Sequence, residues 1–403
     1  MNYLTFIREN ARWLSGGFLL CLFSSFGQTF FISLSGGHIR SAYGLSNGEW
    51  GSLYMFATLA SALTLPVLGR IVDYMSVAKT ALLVIPMLAA ACLLMSLSTH
   101  WLILIVTIYL LRLFGQGMMT HISITAMGRW YSGHRGRAVS IATLGHQAGE
   151  AVFPIFMIAL FLAIGWRNSW ALFAGFLVLG ALPIVYFTMR LERQPRTTDK
   201  QEIKRISKDW TRAEVLRDPM FWLLLLGVLA PAFIGTTIFF HQSYLLELRG
   251  WAPDAFASAF MVMASMTILF ALLSGYMVDR FGSLRILPVG FLPLSLACFA
   301  LYGIDQEFGI YIFMGLLGIS YGISSTLFGV IWPEVYGASH LGAIRSVTVA
   351  FMVFASAMGP GVTGLLIDAG VSYPSQIFVM GFYCLTVSVI MLFVARKLRA
   401  RVA

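Results

Sequence analysis

Charged residues are scarce in this sequence. They make up 11% of its 403 residues, against about 25% in a soluble globular domain. Hydrophobic residues reach 59% and the mean hydropathy is +0.82, so a soluble fold of this size is excluded. Cysteine is also sparse. Cys21, Cys92, Cys298 and Cys384 stand singly in apolar runs without CxxC spacing, which argues against a disulfide framework or metal site and leaves packing roles. There is no GxxxxGK[ST] stretch, so ATP is not the direct energy source. Lys and Arg outnumber Asp and Glu, 27 to 17, yet no zinc-finger, helix-turn-helix or aromatic-basic pattern accompanies them. The basic residues fall instead in short clusters between apolar runs, as topology signals do.

What is abundant is long apolar runs. About 20 apolar residues suffice for a helix to cross a bilayer. The N-terminal half offers six such runs, near 13–35, 50–68, 80–98, 101–127, 138–163 and 169–189. The C-terminal half offers six more, near 220–246, 256–275, 286–304, 309–331, 343–367 and 375–395. They are too long for strands and do not alternate. The basic start MNYLTFIRENAR leads into the first run with no small-residue cleavage site, so a retained first span is expected. With the N-terminus cytoplasmic, only Arg40, Arg167 and Arg249 fall on the far side, and Arg112 is left inside a span. That asymmetry places both termini in the cytoplasm, in the inner membrane if the cell is bacterial.

The one long polar stretch splits the spans six and six. The expected organisation is residues 1–190 and 220–403 as two six-helix bundles, joined by a cytoplasmic linker at 191–219 with some amphipathic helix. The halves also repeat. GRIVDYM at 69–75 matches GYMVDRF at 275–281, and the same offset of 206 residues relates Gly136 to Gly342, Ser140 to Ser346 and Pro154 to Pro360. Repeated halves around a midplane site are a transporter hallmark.

These residues resemble the major facilitator superfamily, whose loop after the second helix of each half reads approximately G-x-x-x-D-[RK]-x-G-x-[RK]. The second copy here fits with Gly275, Asp279, Arg280, Gly282 and Arg285. The first copy keeps Gly69, Asp73 and Lys79 but has Tyr74 and Ser76 where a basic residue and glycine are usual. The resemblance implies an all-α integral membrane fold of twelve helices in two pseudo-symmetric bundles. It also implies a cytoplasmic gate held by Asp73 with Arg129, Arg135 or Arg137, and by Asp279 with Arg280. RLFGQG at 112–117 resembles a further family element. The Gly/Pro-rich run of proton-driven drug exporters is poorly matched by GHQAGEAVFP at 145–154, and the closer likeness is to the oxalate–formate and monocarboxylate branches.

Only Arg112 and Glu150 carry formal charge well inside a span. Counting helical rise puts them about 16 Å and about 20 Å from the same side, near mid-membrane on neighbouring helices. A charge there costs at least ~2.5–3.5 kcal/mol without a partner or water. The pair can be a fixed fastening between helices. Alternatively, Glu150 exchanges a proton while Arg112 binds an anion. His146 stands four residues before Glu150, on the same helix face, and could relay that proton. His121, out of phase with Arg112, reads as packing.

The resemblance makes the first and fourth helices of each half line the cavity. Gln28, Thr236 and His241 are then candidates for substrate contact, with Tyr321, Ser324 and Ser325 as further candidates. The expectation is a secondary active transporter of a small organic anion, such as a monocarboxylate, working by alternating access with proton symport. An exporter of drug-like or amphipathic compounds on the same fold is the alternative. A membrane-embedded enzyme is disfavoured because HRGR at 134–137 lacks a positioned acid. No cofactor, metal or nucleic acid is expected. The partners are a small-molecule substrate, protons and the lipid bilayer, and the protein is expected to act as a monomer.

Overall fold

The computed structural model describes residues 3–131, 134–193, 209–337 and 340–402; the side chains of Arg135, Asp279 and Ser346 lie outside the described residues. Residues 194–208 of the linker expected at 191–219 also lie outside them, and within the rest Arg212–Arg217 is helical. Among the described residues every regular element is helical. Helices suit a hydrocarbon solvent because they satisfy their backbone hydrogen bonds internally.

The first six crossings are α1 (Thr5–Gly27 and Thr29–Tyr43, bent by 42° at the join), α2 (Asn47–Tyr74), α3 (Val77–Leu97), α4 (Trp101–Trp130), α5 (Gly136–Ile164) and α6 (Trp166–Met189). The remainder are α7 (Pro219–Phe240), α8 (Ala255–Val278), α9 (Val289–Gly303), α10 (Phe308–Tyr336), α11 (Val347–Asp368) and α12 (Tyr373–Arg401). Ten are long and apolar enough to cross a membrane unaided, while α1 is a broken span and α9 is shorter. Twelve crossings put both termini on one side.

The chain divides into two compact units, residues 1–45 with 53–202 and residues 46–52 with 203–403. Within the first, α1 packs on α5 and α3 on α6; within the second, α8 packs on α10, α7 on α11 and α9 on α12. The first turns of α2 belong to the second unit for a local reason. Asp368 accepts hydrogen bonds from Ser46 Oγ at 2.6 Å and the Gly48 amide at 2.9 Å, acting as a helix cap supplied from elsewhere in the chain. Trp50 stacks on Phe240 with ring centroids 5.2 Å apart.

On the side of the termini, the second unit is fastened at Asp218. This residue caps α7, accepting from the Met220 amide at 3.1 Å, from Tyr336 Oη at 3.0 Å, and from Arg401 through both terminal nitrogens. Burial alone would raise its pKa, but Arg401, the Met220 amide and the Tyr336 hydroxyl outweigh that effect and hold the carboxyl below its ordinary value. A depressed folded pKa contributes stability that is present above the unfolded value and lost as pH falls through the folded one. Asp218→Ala is therefore expected to destabilise the protein at neutral pH by about 1–2 kcal/mol. It should also blunt the wild type's loss of melting temperature below about pH 4. Thermal unfolding across pH in detergent checks both.

Candidate functional site

Two irregular helices meet in the first unit. In α1, residues Ser24–Gly27 tighten into a 3-10 turn, and Gln28 leaves helical geometry altogether, with φ −82° and ψ 152°. Opposite it, Leu111–Met119 of α4 widens into π-helix, a distortion frequent at functional sites. Glycine permits the approach: a Cβ on Gly115 would stand 2.6 Å from the Gly27 Cα. The break in α1 leaves the Gly27 carbonyl without a helical donor. Arg112 supplies one.

Arg112 is 3% exposed. Its Nη1 donates to the Gly27 carbonyl at 3.1 Å and to Thr29 Oγ1 at 3.2 Å, and its guanidinium carbon lies 5.4 Å from the centre of the Tyr54 ring. Thr29 Oγ1 and Tyr54 Oη are in turn 2.6 Å apart, while Arg112 Nε is buried with no partner. All these partners are neutral. The ion pair to Glu150 that equal depth implied does not form, so the fastening interpretation is corrected. Rise along a helix fixes depth but not direction, and the guanidinium turns toward the α1 break instead.

Glu150 is half-buried in α5 and makes no hydrogen bond or ion pair with a described residue. His146 shares its face, yet its Nδ1 lies 3.3 Å from Ser24 Oγ on α1, and no bond joins the two side chains. Gly145 and Gly149 bring α5 onto α1; a Cβ on Gly145 would stand 2.8 Å from the Leu22 amide nitrogen. The glycines of GHQAGEAVFP thus form a close helix crossing of the GxxxG kind, with Glu150 one residue beyond it.

The remaining expected substrate contacts divide by environment. Gln28 and Thr236 are half-buried and have no hydrogen-bond partner among the described residues. His241 is 2% exposed, with Nε2 3.0 Å from the Pro360 carbonyl and its ring against Phe240 and Tyr373. Tyr321 Oη reaches the Pro231 carbonyl at 3.5 Å, Ser324 is buried, and Ser325 bonds to the Gly322 carbonyl within its own helix.

On the side of the termini, Arg129 Nη2 donates to Asp73 Oδ1 at 2.8 Å and Nη1 to the Val72 carbonyl at 3.2 Å. Of the three arginines considered for Asp73, Arg129 makes the bond; Arg137 is exposed and the Arg135 side chain is outside the described residues. Gly69 is buried, and its carbonyl lies 3.2 Å from His121 Nε2. In the second copy Arg280 Nη1 bonds to Tyr276 Oη at 3.1 Å, and the Asp279 side chain is outside the described residues. Gly275 does not mark a close approach, since a Cβ there would meet open space.

A family model described as Major Facilitator Superfamily matches residues 17–360. The chain belongs to the Major Facilitator Superfamily. It is 23% identical over 348 residues to "MFS transporter asaE" of Aspergillus flavus, covering 83% of this chain and 74% of that one. It is 24% identical over 267 residues to the oxalate:formate antiporter of Oxalobacter formigenes, covering 63% and 62%. With the nitrite extrusion protein of Bacillus subtilis it shares 24% over 277 residues, covering 67% and 65%. Among solved structures, a bacterial homologue of the human lysosomal transporter Spinster superposes with TM-score 0.72 at 16% identity, covering 99% of this chain and 97% of that one; this likeness shows the fold.

As a superfamily member the protein is a multi-pass membrane transporter. Two of its polar contacts escape motif reading. Glu334, near the end of α10, accepts from Ser283 Oγ just after the second Gly-Asp motif. Thr29 and Tyr54 complete the surroundings of Arg112. Glu334 could have been noticed as an acid in the last turn of an apolar run, whereas Thr29 and Tyr54 carry no sequence signal.

The α1–α4 contact is directly testable. Gly115→Leu should destabilise the protein by about 1–3 kcal/mol through overpacking, read as a lower melting temperature in detergent. An unchanged melting temperature would show that the two irregular segments do not pack this closely.

Proposed function

We propose that this protein is a secondary active transporter for a small monovalent organic anion, with monocarboxylates as the substrate class and protons as the coupling ion. The observation that carries this reading is Arg112, a buried guanidinium whose partners are all neutral. A cation at membrane depth is costly without a counter-charge, and an anionic substrate can supply one. Glu150, without a partner among the described residues, is the group proposed to take and release the proton, with His146 beside it. Gln28 and Thr236 have polar groups not engaged by any described residue and are proposed to contact substrate. The Asp73–Arg129 pair is proposed to close the side of the termini, taken to be the cytoplasmic side. Two relatives named for small anions, oxalate with formate and nitrite, support the anion class.

Transport into proteoliposomes of radiolabelled formate and lactate, with and without an inward proton gradient, tests the proposal. The gradient should accelerate wild-type uptake. Arg112→Gln should reduce it roughly 10- to 100-fold, the loss of one charged hydrogen-bonded contact. In Glu150→Gln the ratio of uptake with and without the gradient should fall to about one, since a single titrating site is removed. Undiminished uptake by Arg112→Gln sinks the anion site. Gradient-driven movement of lipophilic cations, with no carboxylate transport, would favour the exporter of amphipathic compounds instead.

A further inference from the structure

The contact between Ser24 and His146 decides where the hydrogens sit. A serine in a helix commonly donates back to the carbonyl three or four residues before it. Ser24 Oγ does so, reaching the Cys21 carbonyl at 2.7 Å. A hydroxyl has one proton, and a carbonyl can only accept. In its second contact, 3.3 Å to His146 Nδ1, Ser24 is therefore the acceptor, and Nδ1 carries the hydrogen. A neutral imidazole holds one N–H, so Nε2 is left with its lone pair. No described residue bonds to Nε2. Cys21 of α1, the titratable side chain beside Gly145, is already committed, since its thiol donates to Ser123 Oγ at 3.3 Å.

The bare nitrogen has a donor within reach. Glu150 stands four residues on, on the same face of α5, where Cβ atoms are about 5–6 Å apart. Both side chains are half-buried, and Glu150 has no hydrogen bond to a described residue. A protonated carboxyl needs an acceptor, and Nε2 is the one its own helix supplies. Transfer breaks the Glu150 O–H bond, leaves the electron pair on the carboxylate and forms an Nε2–H bond. Imidazolium and carboxylate sum to zero, as the neutral pair does. The proton thus changes position without adding net charge at a depth where charge is expensive. In the other tautomer the hydrogen on Nε2 would leave the carboxyl proton without that acceptor. Ser24 also opens the 3-10 turn that closes at Gly27, whose carbonyl Arg112 holds. One turn of α1 therefore touches both the proposed anion site and the proposed proton site.

We propose that Ser24 is a positioning residue, holding His146 as the Nδ1–H tautomer so that Nε2 takes the proton from Glu150. The inference rests on the proton coupling proposed above. Neutral histidine in water favours the hydrogen on Nε2, so the opposite tautomer is a signature of the contact. Long-range proton–nitrogen NMR spectra of the full chain in detergent, labelled with nitrogen-15 histidine, read it at about pH 8, above the ordinary histidine range. His146→Asn identifies the His146 signals by their loss. The wild type should carry the hydrogen on Nδ1. Ser24→Ala should move it to Nε2, and Ser24→Thr, which keeps the oxygen, should leave it on Nδ1. In proteoliposomes, Ser24→Ala should lower the ratio of uptake with and without the proton gradient roughly 3- to 10-fold, the worth of one hydrogen bond. Ser24→Thr should restore that ratio. A serine that merely packs would change the melting temperature and leave the tautomer alone. Hydrogen on Nε2 in the wild type overturns the proposal, whether or not Ser24→Ala folds. So does a tautomer or a ratio indifferent to Ser24→Ala. Wild-type uptake that ignores the gradient would sink the coupling and with it the role of Nε2, a failure kept distinct because the tautomer is read without transport.

Discussion

Arg112 holding the Gly27 carbonyl is the contact on which the site depends. Irregular backbone at membrane depth survives only where its polar groups find partners inside the protein. The α1 break at Gln28 creates an acceptor and the π-helical stretch of α4 carries the donor. Each irregularity therefore makes the other tolerable, and Gly27 and Gly115 bring them close enough for the bond to form. A regular helix in either place would bury an unpaired guanidinium or leave no room for its neighbour. The break also turns Thr29 toward Arg112 and Tyr54, so one deviation from helical geometry assembles the polar cluster.

The spans were legible because the bilayer imposes a simple rule of length and apolarity. The weaker cases have physical causes. The start of α1 is polar, so the run beginning near residue 13 understates a helix that reaches back to Thr5. The site was legible in part. Arg112 and Glu150 stand out as charges in apolar runs, but which way each points depends on helix phase, and the π-helical segment of α4 shifts that phase. His146 shows the same limit: spacing gives a shared face with Glu150, while packing against α1 gives it Ser24. Gly145 and Gly149 stand at GxxxG spacing. Their meaning comes from what they pack against, which is the turn of α1 that precedes the break.

The two halves repeat in sequence more faithfully than in contacts. After α2, the motif carboxylate Asp73 is paired with Arg129 from the end of α4. After α8, the corresponding turn is tied to the end of α10 through Ser283 and Glu334. Gly69 is packed beneath His121, whereas its counterpart Gly275 faces open space. A duplicated scaffold fixes where such ties can occur, at the ends of matching helices. Which side chains make them is free to diverge, because any hydrogen-bonded pair at that place restrains the same two elements.

The separation of Arg112 from Glu150 bears on the proposed transport cycle. Had they formed an ion pair, substrate would have to break it, and the energy of that pair would oppose binding. Held instead by neutral groups, Arg112 has no counter-charge among the described residues that contact it. One cation balances one negative charge, so a monoanion leaves the site neutral and a dianion leaves an excess charge at a depth where charge is expensive. Glu150, when protonated, adds none. Co-transport of a monoanion with a proton would then carry no net charge across the bilayer. On the proposed cycle, neutral partners for Arg112 and no partner for Glu150 among the described residues would be two halves of one electrostatic arrangement, in which a carrier holding only one of its two cargoes bears an unbalanced charge.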